Sequence, residues 1–193
     1  MKASHHRPDF DRRDQMPARF TAAEFVELAQ HPPIVDWPGK IELVEGEIVR
    51  MAPANVRHWN MQRIAFLQLQ SVVAAAGIDW IVGQEPTIRL DADTIREPDV
   101  AVLRDPDLTA TLFDGSALFL AVEVADTSLA LDLGRKRRDY AEAQVPHYWV
   151  IDLNGRCIHV MTDPVAGDYA IRSLIRFGEP LAVPDTGSSI VID

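Results

Sequence analysis

PDVAVLRDPDLTATLFDGSALFLAVEVADTSLALDLGRKRRDY, residues 98–140, carries the decisive pattern of this chain. Asp99 heads an apolar run, DVAVL. LFLAVEVA, residues 118–125, is a second apolar run, broken only by Glu123. Such a run without alternation suits a central strand buried on both faces. An acid inside that strand is costly unless a cation or a bound ion compensates it. Asp132, Lys136 and Tyr140 follow at intervals of four, which places them on one face of a helix. Two acids in strand-like surroundings, followed by a helical lysine, point to a hard metal ion at Asp99 and Glu123 with a cation beside it.

Outward from this stretch, both flanks alternate strands and helices. Downstream, HYWVIDL reads as a strand, RCIHVMTD as its hairpin partner through Asn154-Gly155, and DYAIRSLIRF and SSIVID as strands completing the same sheet. Upstream, DWIVGQEPTIRLDAD gives two short strands. The segment APANVRHWNMQRIAFLQLQSVVAAAG reads as the main helix, capped by Asn55 and ended by Gly77. Its expected apolar stripe is Ile64, Leu67, Val72 and Ala75. IELVEGEIVRM reads as a hairpin turning at Glu45-Gly46, and Thr21 with Glu24 forms a capping box for a short helix. Residues 1–19, rich in charge, proline and histidine, are expected to be a disordered tail; His5-His6 within it reads as incidental. Residues 20–193 are expected to form one α/β domain: a mixed sheet flanked by helices, with additional antiparallel strands at both ends.

Composition bounds the function. The chain has 193 residues, is 47% hydrophobic and 25% charged, and suits a single globular core. No apolar run approaches the ~20 residues needed to span a bilayer, so no membrane partner is expected. The N-terminus lacks the apolar core of a signal peptide. A single cysteine, Cys157, excludes an intrachain disulfide and fits a reducing cytoplasm. A formal net charge of −10 counts against avid, sequence-independent nucleic-acid binding. The one dense basic patch, Arg135 to Arg138, reads by itself as a solvated helix face.

Each candidate also has a plainer account. Pro98-Asp99 alone reads as the start of a strand, Lys136 alone as a surface lysine, and Asp132 with Lys136 as a helix ion pair worth ~0.3 kcal/mol. Glu123 is harder to place, because a fully buried glutamate is rare without a partner. The argument for a site rests on the combination.

The ordered set ELVEGEIV, His58 at the front of a helix, PDVAV, AVEVADTS, D-x-x-x-K-x-x-x-Y and VPHYWVID resembles the Uma-two family of restriction endonucleases, a bacterial branch of the PD-(D/E)xK nuclease superfamily. The resemblance covers roughly residues 20–160. It implies a restriction-endonuclease-like fold with a four-stranded mixed core sheet, catalytic residues Asp99, Glu123 and Lys136, and Mg²⁺ (or Mn²⁺) at Asp99 and Glu123. Glu42 and Tyr140 are further catalytic candidates, with Glu42 matching the family's hairpin glutamate. His58 reads as a structural group near the helix start, and Glu85 is unranked. The superfamily lysine stands two residues after the second acid, where this chain has Ala125; the resemblance implies that Lys136 replaces it. Gln144 stands where the family shows glycine, followed by Pro146.

The expected function is metal-dependent hydrolysis of DNA by a metal-activated water. The alternative is a catalytically inactive scaffold that binds nucleic acid or a protein partner. A hydrolase of small phosphoesters is a weaker third, since no glycine-rich phosphate loop is visible. Restriction-type nucleases often cut as dimers, so a homodimer through the strands beyond Ile158 is a further expectation.

Overall fold

A computed structural model of the chain describes residues 18–37 and 39–193. Residues 1–17 of the expected tail, with His5-His6, lie outside the described residues. The first helix, α1 (Ala22–Ala29), starts as its sequence dictates: the Thr21 hydroxyl accepts from the Glu24 N–H, and the Glu24 carboxylate accepts from the Thr21 N–H. Strands β1 (Ile41–Val44) and β2 (Glu47–Arg50) form the expected hairpin. Glu45 and Gly46 take φ of 48° and 78°, the pair of positive angles that a type I′ turn requires. Helix α2 (Val56–Ala75) begins at Asn55, whose side chain accepts from the His58 N–H, and stops before Gly77.

Then follow β3 (Trp80–Gln84), β4 (Ile88–Arg89), β5 (Ile95–Arg96), β6 (Val100–Arg104), β7 (Phe113–Asp114) and β8 (Leu118–Ala125). All eight residues of β8 are buried, as a two-faced central strand demands. A continuous helical stretch, called α3 here, runs as α-helix over Leu129–Leu131, as a π-turn over Asp132–Lys136 and as α-helix again over Arg137–Glu142. Strands β9 (His147–Asp152), β10 (Cys157–Val165), β11 (Asp168–Arg176), β12 (Pro180–Val183) and β13 (Ser188–Val191) complete the chain.

The main sheet has the order β11-β10-β9-β8-β6-β3. Only β8 and β9 are parallel; the other neighbours are antiparallel. One face packs on α2 and on the β12–β13 hairpin through Leu69, Val73, Val122, Val124, Leu181 and Ile190. The other packs on α3 through Ala121, Ala125, Tyr140, Tyr148 and Val150. Glu123 shares the α3 face with Ala121 and Ala125, so strand alternation alone aims its carboxylate at Lys136. A smaller sheet, β2-β1-β5-β4-β7, carries the N-terminal hairpin against α1.

Four local expectations are corrected. The α2 stripe is Met61, Ala65, Leu69 and Val73, with Ile64 and Val72 partly buried; Leu67 and Ala75 are exposed. The small Ala65 is buried in the cluster between α2 and the sheet, while Leu67 faces solvent. SSIVID does not join the main sheet, because β13 pairs with β12 and covers the α2 face. The Arg135–Arg138 patch is a solvated face only in part: Arg138 is exposed, but Lys136 is buried, Arg135 pairs with Glu45 and Asp139, and Arg137 pairs with Asp168. The helix is also not uniformly α, since the Arg137 N–H reaches the Asp132 carbonyl five residues back.

Gln144 adopts φ 58° between α3 and β9, which explains why a glycine suits this turn. Its amide donates to the Ala141 carbonyl at 3.0 Å, a weak compensation. Gln144→Gly is therefore expected to stabilise the protein by about 1 kcal/mol and to raise the midpoint of thermal unfolding by about 2–4 °C. An unchanged or lower midpoint in a thermal melt would contradict this reading.

Candidate active site

Asp99 precedes β6 and is fixed from three directions. Strand β8 runs past the start of β6, whose last register pair is Val100 with Val122. The Val124 N–H therefore has no strand partner on that side, and it donates to Asp99 Oδ2 at 2.8 Å. His58 Nε2 stands 3.0 Å from the same oxygen. Lys40 Nζ donates to Asp99 Oδ1 at 2.6 Å and lies 3.1 Å from Glu85. From α2, Gln62 donates to the Asp99 backbone carbonyl at 3.0 Å. Burial alone would raise the Asp99 pKa, but His58 and Lys40 outweigh it and hold the carboxyl well below the usual range.

Glu123 is satisfied on both oxygens. Tyr140 Oη donates to Oε1 at 2.9 Å, and Lys136 Nζ lies 2.9 Å from Oε2. Burial pushes the Glu123 pKa up to about 7, against the pull of Lys136. Burial would depress the Lys136 pKa; the carboxylates of Glu123, Glu42 and Asp132 reverse that and hold the ammonium charged. Lys136 Nζ is 3.6 Å from Glu42 and 3.9 Å from Asp132. Asp132 is held in turn by Ser128 Oγ at 2.6 Å, while Tyr148 Oη donates to its backbone carbonyl at 2.9 Å. π-turns inside α-helices cluster at functional sites, and this one contains both Asp132 and Lys136.

The expected members do not all meet the same space. Asp99, Glu123, Lys136, Asp132, His58 and Glu85 line one cavity of about 500 Å³. Glu42 and Tyr140 do not line it. Glu42 is fully buried beneath Lys136, accepting from Arg96 Nη1 at 2.6 Å and from the Glu97 N–H at 3.2 Å. Among the ion pairs of the described residues Lys136 reaches Glu123 but not Asp99, whose ammonium partner is Lys40.

Lys40 and Arg96 were missed in the sequence. A signal for Lys40 existed: of the 19 Lys and Arg residues only three are lysine, Lys2, Lys40 and Lys136. Lysine is rare in this arginine-rich chain, and at position 40 its compact ammonium meets both Asp99 and Glu85. Arg96 was inferable from Glu42, since a buried acid in a short strand needs a cation.

The comparisons with known proteins agree with this architecture. A family model, Uma2, described as "Putative restriction endonuclease", matches residues 23–192. The chain belongs to the Uma2 family. Among solved structures it is similar to one described as a "putative nuclease belonging to DUF820", from Anabaena variabilis ATCC 29413. The TM-score is 0.62 at 17% identity, over 87% of this chain and 91% of that one. That likeness supports the restriction-endonuclease-like fold. A search of curated proteins gives no match.

The compensation of Glu123 by Lys136 is testable in the metal-free protein. Lys136→Met leaves Glu123, Glu42 and Asp132 without their shared cation, so a loss of about 3–5 kcal/mol is expected. Adding Glu123→Gln removes one orphaned charge and should restore part of that stability. Urea denaturation measures both; a double variant as unstable as the single one would refute the pairing.

Proposed function

We propose that this Uma2 protein is a divalent-metal-dependent endonuclease hydrolysing DNA phosphodiester bonds in the cytoplasm, with Mg²⁺, or Mn²⁺ in its place. The observation that carries the reading is the convergence of Asp99, Glu123 and Lys136 on one cavity, although the lysine comes from a different element than the acids. The description of the family and that of the similar Anabaena protein support the same class of activity. The donors fit the ion. Six carboxylates line the cavity, those of Glu85, Glu97, Asp99, Glu123, Asp126 and Asp132, against two lysines and one histidine. That excess of hard oxygen and negative charge suits a small divalent cation.

Asp99 and Glu123 would hold the ion. When bound, Mg²⁺ supplies a Lewis acid for a phosphoryl oxygen and a lowered pKa for the attacking water. The rest of the chemistry belongs to the chain. The Lys136 ammonium, fixed beside Glu123, offsets the charge that develops on phosphorus. Lys40 does the same from the Asp99 side. His58 orients Asp99 through Nε2, while its Nδ1 is buried without a hydrogen-bond partner among the described residues. Tyr140 and Glu42 act as positioning residues, through Glu123 and Lys136 respectively. The place of Lys136 weighs against the inactive-scaffold alternative, because it supplies the cation that the strand lacks at Ala125.

The expected result is Mg²⁺- or Mn²⁺-dependent nicking or linearisation of supercoiled plasmid, abolished by chelation and by Asp99→Ala. Lys136→Met, assayed below its unfolding temperature, should retain metal binding yet lose about 10²–10³-fold in rate. Absence of metal-dependent cleavage of every DNA and RNA form would overturn the proposal.

A further inference from the structure

The hairpin β9–β10 gathers a second set of metal-ligating side chains that the nuclease site does not use. Asp152 and Cys157 are directly opposed across the strands, and His159 follows Cys157 by two residues. Strand alternation therefore puts all three on one sheet face. Their ligand atoms lie within 4.8 Å of one another, with Cys157 Sγ 4.0 Å from His159 Nε2. Glu123, Val150 and His159 occupy one row of that face in register. At a spacing of about 4.8 Å per strand, the cluster lies about 10 Å from Glu123. It is thus a separate place from the cavity, and none of the three residues lines that cavity.

We propose that Asp152, Cys157 and His159 form a binding site for a borderline transition-metal dication of the Zn²⁺ type. One carboxylate oxygen, one thiolate and one imidazole make a donor set that favours such an ion over Mg²⁺. The spacing is near that of bound ligands: Zn–S of about 2.3 Å and Zn–N of about 2.0 Å at a tetrahedral angle put sulfur and nitrogen about 3.5 Å apart. Asp152 is already oriented, because its Oδ1 accepts the Asn154 and Gly155 N–H groups at 3.0 and 2.9 Å and leaves Oδ2 free of them. The turn also keeps the space open. A Cβ on Gly155 would collide with Asp152 Oδ2 and stand 3.3 Å from Cys157 Sγ, so any side chain there would fill the gap between two ligands.

Charge balance favours a dication. One carboxylate, one thiolate and a neutral imidazole carry two negative charges, which the ion offsets at a largely buried position, with Arg176 opposite Cys157 on β11 as a further cation beside the site. Burial and Asp152 push the Cys157 thiol up against the pull of Arg176, so a bound metal must displace the thiol proton. Binding forms the metal–sulfur bond and releases that proton to solvent. His159 is half-buried, which leaves the fourth tetrahedral position to water.

The test is a Co²⁺ titration of the chelator-stripped, full-length protein followed by absorption. Cys157 is the only cysteine of the chain, so a thiolate charge-transfer band reports this site alone. One equivalent should produce that band together with the intense visible bands of four-coordinate Co²⁺. Zn²⁺ should displace it and Mg²⁺ should not. Cys157→Ser should abolish the band, His159→Gln should weaken binding by at least about tenfold, and Asp99→Ala should leave both unchanged. A weak six-coordinate spectrum without charge transfer, or affinity unaltered by His159→Gln, would overturn the proposal. His159 is half-buried, so its variant decides the matter even if Cys157→Ser fails to fold. This outcome is independent of whether the protein cleaves DNA.

Discussion

The structure depends on how one buried acid is compensated. Glu123 sits in the middle of a strand whose every residue is buried. An uncompensated carboxylate there would cost several kcal/mol, and a lysine on the next helix supplies the answer at 2.9 Å. That cation has neighbours of its own. From Lys136 the charges alternate through Glu42, Arg96, Asp139 and Arg135 to Glu45. This run of charges ties α3 and the main sheet to the smaller sheet, alongside the apolar packing of Ile88 and Phe113 against the α3-side core. Glu42, Arg96, Asp139 and Arg135 each touch two oppositely charged neighbours, so removing one weakens the compensation of both, and the network acts as a unit rather than as separate bridges.

The same arrangement explains the split in the site. In the superfamily pattern the lysine follows the second acid in the strand; here Ala125 at that position packs against Tyr140 and Tyr148 beneath α3. With the strand position given over to packing, the cation comes from above. The π-turn brings Asp132 and Lys136 over the sheet, and Tyr148 gives the Asp132 carbonyl a second donor beside the Arg137 N–H. Asp99 is managed separately by Lys40 and His58. The cavity therefore holds two acids with different partners: one kept firmly ionised, the other raised toward neutrality by burial.

Much of this was legible in the sequence, and for identifiable reasons. The all-apolar β8, the Glu45-Gly46 turn, the Asn55 cap and the Thr21–Glu24 box are local signals whose physics acts within a few residues. Glu123 and Lys136 were legible because burial made one costly and helical spacing placed the other on the face of Asp132 and Tyr140. Lys40 and Arg96 were not singled out, since their partners are 59 and 54 residues distant in the chain. The α2 stripe was misjudged because a small residue, Ala65, rather than the larger Leu67, is buried in the cluster between α2 and the sheet. The π-turn leaves no pattern of apolar residues, only Gly134 at its centre.

If acids from the sheet and a lysine from the following helix form one metal-dependent site, crystals soaked in Mn²⁺ and measured for anomalous scattering will reveal it. The expected peak lies about 2.1 Å from carboxylate oxygens of both Asp99 and Glu123, with the Lys136 ammonium still inside the cavity beside Glu123. A saturating soak with no peak between the two acids, or with Lys136 turned out to solvent, would contradict this arrangement.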